Sequence, residues 1–396
     1  MLMTGVSTFL DAVRLSGLLT PAQLLRIQGE SKIAEDPNAV AAQLVDDGWL
    51  THWQAQQLWA GRRPLRLGRV KLLDFLGKGS MATVFKAQHP LLGLIALKVL
   101  SPNRRDQRTA VSLFLREGRI ASALDHPNLV GVYGVEPLDG TFAMPMKYVD
   151  GIDLREWIHC AGHIPIGWSC EFIRQSALGV QYLSEQGLVH RDLKPSNLLV
   201  THDWASGNPM VKILDFGVSW FEGGRHEDEP LLRDQIVGTP GYLAPEQIER
   251  STEIDSRADI FGLGCVLFEL LSGHNPFGGQ TIEERIDAPL TRTVSSLCHQ
   301  RLEVPVELDL IVSKMVARNP QDRFRNAAEV ATSLAPFCTT DWCGLPPPGS
   351  ARGGRGLSKR FEPILLLDEP NEIICHGTTL PSMEIGDCKL ESSPHA

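Results

Sequence analysis

His190 to Asn197 read HRDLKPSN, and 18 residues beyond Asn197 stands DFG at Asp215 to Gly217. The eight residues follow a helical pattern and precede a short apolar run. They bring an acid (Asp192), a base (His190), a lysine (Lys194) and an amide (Asn197) into one loop. Two oxygen-bearing side chains, Asn197 and Asp215, suit Mg²⁺, which takes a few protein oxygens and completes its shell with phosphate and water. Asp192 is then left to orient a hydroxyl.

Working toward the N-terminus, LGKGSMATVF places Gly77 and Gly79 between two predicted strands. A hairpin without side chains there can bring backbone N–H groups against phosphates, although such hairpins are also common structural turns. Fourteen residues past Val84, IALK puts Lys98 on a further strand among apolar neighbours. A buried amine is costly unless an anion meets it, and a snorkelling surface lysine is the alternative. The amphipathic run FLREGRIASAL carries Glu117, either the opposing charge for Lys98 or a solvated helix-face carboxylate.

Taken together and in this order, the motifs between about Leu67 and Phe337 resemble a Hanks-type (eukaryotic-like) serine/threonine protein kinase. The resemblance implies an α+β bilobal, protein-kinase-like fold, with a β-rich lobe over 67–147 and a helical lobe over 148–337. It implies that Gly77, Lys78, Gly79 and Ser80 cover the ATP phosphates, and that Lys98, tied by Glu117, contacts them. Val84, Ala96 and Leu199 would sandwich adenine, Met146 would be the gatekeeper, and the backbone of Lys147 and Tyr148 would bond the base edge. Asp192 would act as catalytic base or hydroxyl orienter and Lys194 would touch the transferring group, with Asn197 and Asp215 holding Mg²⁺ or Mn²⁺. His190 and Phe216 would stack between the lobes, Glu246 of GTPGYLAPE would pair with Arg323, and Asp259 would anchor the catalytic loop. Lys194-Pro195 together with Thr239 matches serine/threonine rather than tyrosine specificity, hence protein substrates bearing Ser or Thr. Two positions depart from the pattern: Ala82 replaces the third loop glycine, and Lys147 replaces an acidic hinge residue. A pseudokinase or docking scaffold is the alternative, and none of the five charged or amide groups that transfer needs has been lost.

Residues 1–66 read as helical, with Phe9, Val13, Leu15, Leu18, Leu24, Leu25, Val40, Leu44 and Val45 at three- and four-residue spacings. GLLTPAQL at Gly17 to Leu24 recurs as GWLTHWQA at Gly48 to Ala55, which suggests helix, glycine turn and Thr-capped helix twice over. This segment is expected to pack on the neighbouring domain or to dock partners. A helical extension followed by LGRVKLLDFLGKGSMATVF resembles bacterial kinases, notably planctomycete members. Past Phe337, residues 338–396 are Pro/Gly-rich and expected to be largely disordered, with FEPILLLDEP able to dock as a short peptide.

The 396 residues fit two or three units. Lys and Arg number 38 against 47 Asp and Glu, a net charge of −9, which argues against a general nucleic-acid or anionic-membrane binder. The eight cysteines form no CxxC pair, no membrane span or signal peptide stands out, and a cytoplasmic protein is expected. Between Trp220 and Gly238 there is no Ser, Thr or Tyr. Glu227, Asp228 or Glu229 is therefore expected either to pair with Arg191 in place of a loop phosphate or to face water.

Overall fold

The computed structural model describes residues 6–29, 37–62, 65–79, 81–105, 107–202, 208–215, 220–221, 238–251 and 254–339. The N-terminal segment folds into four helices, α1 (Val6–Ser16), α2 (Pro21–Gly29), α3 (Pro37–Asp46) and α4 (His52–Trp59). Phe9, Val13, Leu18, Val40 and Leu44 are buried in its own small core, with Leu24 and Val45 against it. Leu15 and Leu25 are instead 72% and 69% exposed. At 100° per residue Leu15 lies across the helix from Val13, so a three-to-four spacing counted from other residues overstated the apolar face.

The repeated octet is a repeated structure. Gly17 and Gly48 adopt φ of +64° and +69°, which favours glycine. Thr20 and Thr51 then begin the next helix with matching capping boxes: each backbone N–H donates to Gln23 or Gln54 Oε1 at 2.8 Å, and each glutamine N–H returns to the threonine hydroxyl.

A six-stranded antiparallel sheet follows, built from β1 (Arg66–Leu67), β2 (Val70–Lys78), β3 (Ala82–His89), β4 (Gly93–Leu100), β5 (Glu136–Leu138) and β6 (Thr141–Lys147), in the order β1-β2-β3-β4-β6-β5. Helix α5 (Arg108–Ala121) lies between β4 and β5 in the chain and carries Glu117. Strand β4 shows why this stretch reads as nearly continuous apolar sequence. Ile95, Leu97 and Val99 point into an outer cluster that Trp53 of α4 joins, while Ala96, Lys98 and Leu100 alternate to the opposite face. A strand covered on both faces keeps apolar residues on both.

The second lobe is mainly helical. Its elements are β7 (Ile152–Asp153), α6 (Leu154–Ala161), α7 (Ile166–Glu185), β8 (Leu188–Val189), β9 (Leu198–His202), β10 (Pro209–Ile213), β11 (Trp220–Phe221), α8 (Pro245–Ile248), α9 (Arg257–Ser272), α10 (Ile282–Thr291), α11 (Leu297–Gln300), α12 (Val306–Met315) and α13 (Ala327–Leu334). Helix α9 is buried nearly all round, and its Glu269 is satisfied by the Tyr242 hydroxyl at 2.6 Å. The lobe's packing reaches two residues past the expected boundary at 337. Cys338 packs against the main core, and Thr339 lies so close to Gly167 that an added Cβ would come within 2.7 Å of its side chain. Residues 340–396, FEPILLLDEP included, lie outside the described residues.

One buried ion pair fastens α8 to the end of the lobe. Arg323 meets both oxygens of Glu246, Nη1 to Oε1 at 2.6 Å and Nη2 to Oε2 at 2.8 Å, and its remaining N–H groups reach the carbonyls of Ala317, Arg257 and Arg318. Removing one partner strands a buried charge, so Glu246→Ala should destabilise the protein by about 3–5 kcal/mol. Asp11→Ala, which breaks the exposed Arg14–Asp11 pair, should cost about 0–1 kcal/mol. Urea titration of both variants measures the difference, and equal losses would contradict it.

Candidate active site

The loop His190–Asn197 runs between β8 and β9 and is held from below by one carboxylate. Asp259, in the first turn of α9 and 1% exposed, accepts the His190 N–H at 2.7 Å and the Arg191 N–H at 2.8 Å. Burial raises its pKa, and the two backbone donors and the Arg191 guanidinium oppose that rise. These bonds sustain a φ of +68° at Arg191, a conformation a non-glycine residue adopts only when its surroundings enforce it. His190 is fully buried; its Nδ1 takes the Asp192 N–H at 3.3 Å, which leaves the ring proton on Nε2, 3.2 Å from the Leu214 carbonyl.

On the open side of the loop three side chains close a triangle. The Lys194 ammonium lies 2.9 Å from Asp192 Oδ2 and donates to the Thr239 hydroxyl at 2.8 Å, and that hydroxyl donates to Asp192 Oδ1 at 2.6 Å. Asn197 Nδ2 donates to the Asp192 carbonyl at 2.8 Å. Its Oδ1 therefore has no protein donor among the described residues.

Across the cleft Lys98 is buried between two carboxylates, Glu117 Oε1 at 2.6 Å and Asp215 Oδ1 at 2.5 Å. Burial works against the ammonium, but Asp215 and Glu117 outweigh it and hold the pKa above the usual lysine range. Burial also works against ionised Asp215, and there Lys98 prevails, keeping it well below the ordinary carboxylate value. At Glu117 burial prevails over Lys98 and, aided by the negative charge of Asp215, pushes the pKa up to about 7. Asp215 itself has φ +59°.

The residues expected to bind nucleotide come from both lobes. Val84 pairs with Lys98 across β3 and β4, and Ala96 pairs with Met146 across β4 and β6, while Leu199 is buried on β9. Tyr148 stacks beneath Lys86, whose ammonium is 4.5 Å from the ring centroid. The Lys147 N–H donates to the Gly131 carbonyl at 2.8 Å. Gly79 closes the hairpin through its N–H to the Ala82 carbonyl at 2.8 Å. Gly77 has open space where a Cβ would stand, and Lys78 is exposed. Ser80, Phe216, Ser219 and Glu227 to Glu229 lie outside the described residues.

Two participants escaped sequence reasoning. Gln247, 6% exposed, donates from Nε2 to the Arg191 carbonyl at 3.0 Å, and no pattern distinguishes it from any polar residue after Glu246. Arg116, one residue before Glu117, bears on Arg191: burial pushes the Arg191 guanidinium down to about 10 against the pull of Asp259, and Arg116 adds to the push. Among the described residues no three His, Cys, Asp or Glu converge as a metal site. A cation here would rest on the Asn197 amide oxygen, the ionised Asp215 and a ligand's own oxygens, a donor set that fits Mg²⁺.

Comparison with known proteins agrees with this geometry. The protein kinase domain family matches residues 70–334. Serine/threonine-protein kinase PknB of Mycobacterium leprae is 33% identical over 279 residues, covering 67% of this chain and 42% of that protein. Serine/threonine-protein kinase PrkC of Bacillus subtilis is 30% identical over 268 residues, 67% of this chain and 40% of that one. The solved kinase domain of Mycobacterium tuberculosis PknI superposes with a TM-score of 0.53 at 27% identity, covering 69% of this chain and 98% of that domain. The chain thus spans about two fifths of the length of the curated relatives it matches. No described helix is long and apolar enough to cross a membrane.

The Lys98–Glu117–Asp215 cluster carries a pH signature. Glu117 binds its proton more tightly folded (pKa about 7) than at the ordinary value of 4.5, so its contribution to stability falls as pH rises across that window. Lys98→Met removes the charge that restrains this shift and widens the window upward, each further unit costing about 1.4 kcal/mol. The variant should lose more stability than the wild type between pH 5 and pH 8 in urea titrations. Parallel losses would refute the coupling.

Proposed function

The chain belongs to the protein kinase domain family, and on that premise we propose that it is an ATP-dependent serine/threonine protein kinase, moving the γ-phosphoryl group of ATP to Ser or Thr hydroxyls of protein substrates. The observation that carries this reading is the formed Lys98–Glu117–Asp215 cluster facing the Asp192–Lys194–Thr239 triangle. Phosphoryl transfer is mostly positioning and electrostatic stabilisation, and these are the charges it uses.

In this reading the adenine lies among Val84, Ala96, Met146, Tyr148 and Leu199, and the hairpin Gly77-Lys78-Gly79-Ser80 covers the phosphates. Lys98, held by Glu117, offers its ammonium to them. Asn197 and Asp215 hold Mg²⁺ or Mn²⁺, which when bound offsets phosphate charge. Asp192 accepts a hydrogen bond from the attacking hydroxyl and aligns its oxygen. Lys194 stays beside Asp192 and meets the negative charge of the transferring group. Thr239, bonded to both, fixes their spacing and borders the place where a substrate Ser or Thr must enter. A reducing, cytoplasmic setting accords with the five free cysteines among the described residues.

Incubation with radiolabelled ATP, Mg²⁺ and a generic basic protein tests this directly. Wild-type protein should label Ser and Thr but not Tyr, and Lys98→Met, Asp192→Asn or Asp215→Asn should each lower the rate by about a thousand-fold or more. Labelling that survives in Asp192→Asn would overturn the role assigned to that carboxylate. No labelling by the wild type, with ATP still bound, would leave a nucleotide-binding scaffold.

A further inference from the structure

The two copies of the N-terminal repeat share a capping box but use it differently. In the first, the Thr20 hydroxyl turns back to Gln23 Oε1 at 2.9 Å, and among the described residues these two side chains bond only within the box. In the second, the Thr51 hydroxyl donates outward to the Leu73 carbonyl at 2.6 Å, and Gln54 Nε2, on a side chain buried with its residue only 3% exposed, donates to the Leu72 carbonyl at 2.6 Å. The Leu72 N–H also points this way and donates to the Leu65 carbonyl at 3.0 Å. Leu65 belongs to the core of the helical extension.

These bonds fall at a particular place on β2. Its pairing with β3 slips between Leu72 and Asp74 and again between Phe75 and Gly77. A slip of this kind loosens the ladder and redirects the strand beyond it. Thr51 and Gln54 bond the strand at the first slip, five residues before Gly77. Next to them the Trp53 ring lies 5.9 Å from Phe85 of β3, which in turn lies 6.3 Å from Phe75 of β2. Trp53 has Ala22 as its counterpart in the first copy. The copy whose capping side chains bond the sheet is thus the one with an aromatic ring to lay on it.

We propose that Thr51, Trp53 and Gln54 are positioning residues for nucleotide binding: they fix the slip in β2 and thereby the set of the Gly77–Ala82 hairpin over the ATP phosphates. The proposal rests on the kinase reading above. The hairpin meets the nucleotide alike in the ground state and during transfer, so loosening it weakens ATP binding and raises KM while leaving kcat nearly unchanged.

The repeat supplies its own control. Gln54→Glu in the full chain keeps the Oε1 acceptor of the capping box but replaces the donor to the Leu72 carbonyl with a carboxylate, whereas Gln23→Glu makes the same change where no strand is bonded. Equilibrium binding of Mg–ATP and steady-state kinetics with a basic protein substrate are measured on both. Gln54→Glu should raise Kd and KM for ATP by about five-fold or more, the worth of roughly one hydrogen bond, with kcat within about two-fold. Gln23→Glu and the conservative Thr51→Ser should match the wild type. Should Gln54→Glu not fold, Trp53→Ala, which keeps both hydrogen bonds and installs the residue of the first copy, is held to the same expectation. Unchanged ATP binding in the folded variant, equal losses from Gln54→Glu and Gln23→Glu, or a fall in kcat at constant KM would each overturn the proposal. A wild-type chain that binds no Mg–ATP would remove the kinase reading and this proposal together, while binding that is alike in all variants would remove the proposal alone.

Discussion

A lysine ammonium buried in a sheet cannot stand alone, and the two carboxylates that meet Lys98 come from parts of the chain far apart in sequence. Glu117 arrives on α5, 19 residues on, and Asp215 from beyond β10, 117 residues on. The cost of an uncompensated charge in this setting is several kcal/mol, so helix position, sheet and the segment after β10 are constrained together. Glu117 and Asp215 divide the burden unequally. Lys98 holds Asp215 well below the ordinary carboxylate range, while burial raises Glu117.

The opposite side of the cleft solves a different problem by the same means. A loop that presents Asp192, Lys194 and Asn197 outward needs its backbone N–H groups satisfied inward, and Asp259 takes two of them. Gln247 ties the Arg191 carbonyl to α8, the helix that Arg323 fastens through Glu246. The strained φ at Arg191 is thus held from two elements, α9 and α8. Rigidity here matters because the groups above act by position, where displacement of a fraction of an ångström is felt in the rate.

Much of this was legible because the residues concerned are bound to chemistry with few substitutes. An anion for Lys98, oxygens for a cation and a carboxylate beneath the loop each admit one or two residue types, so their order along the chain identifies them. The capping boxes were legible for a similar reason: Thr20 and Gln23, Thr51 and Gln54 satisfy local backbone groups, and local bonds leave a local pattern. What escaped was set by packing at a distance. Leu25 is exposed for reasons its spacing does not show, whereas Leu15 could have been placed from helical geometry, since it lies across α1 from Val13. The bond from the Lys147 N–H to the Gly131 carbonyl belongs to a bridge between segments that no motif records. Gln247 was missed for the same reason, its bond being to a backbone atom 56 residues away.

The outer face of the first lobe bears on where this protein's folding unit begins. Leu67, Val70, Leu72, Ile95, Leu97 and Val99 form a contiguous apolar surface on that side of the sheet, with Ala87 and Ala143, and Trp53 lies upon it. An apolar surface of that kind, left bare, would favour association or aggregation, whereas a covered one contributes to stability in proportion to the area removed from water. The polar bonds run the same way: Arg66 reaches the Gly17 carbonyl at 2.7 Å and Lys71 the Leu18 carbonyl at 3.3 Å, so the first repeat is tethered to β1 and β2 while the second lies on the sheet. A cut at residue 66 would sever the Leu65–Leu72 backbone bond from its own strand, uncover Leu72 and Val70, and leave the Leu72 and Leu73 carbonyls without the donors they have here. The family match runs from residue 70, while the physical unit takes in α1 to α4, and the strand that leads to the Gly77–Gly79 hairpin is held from both sides of that line.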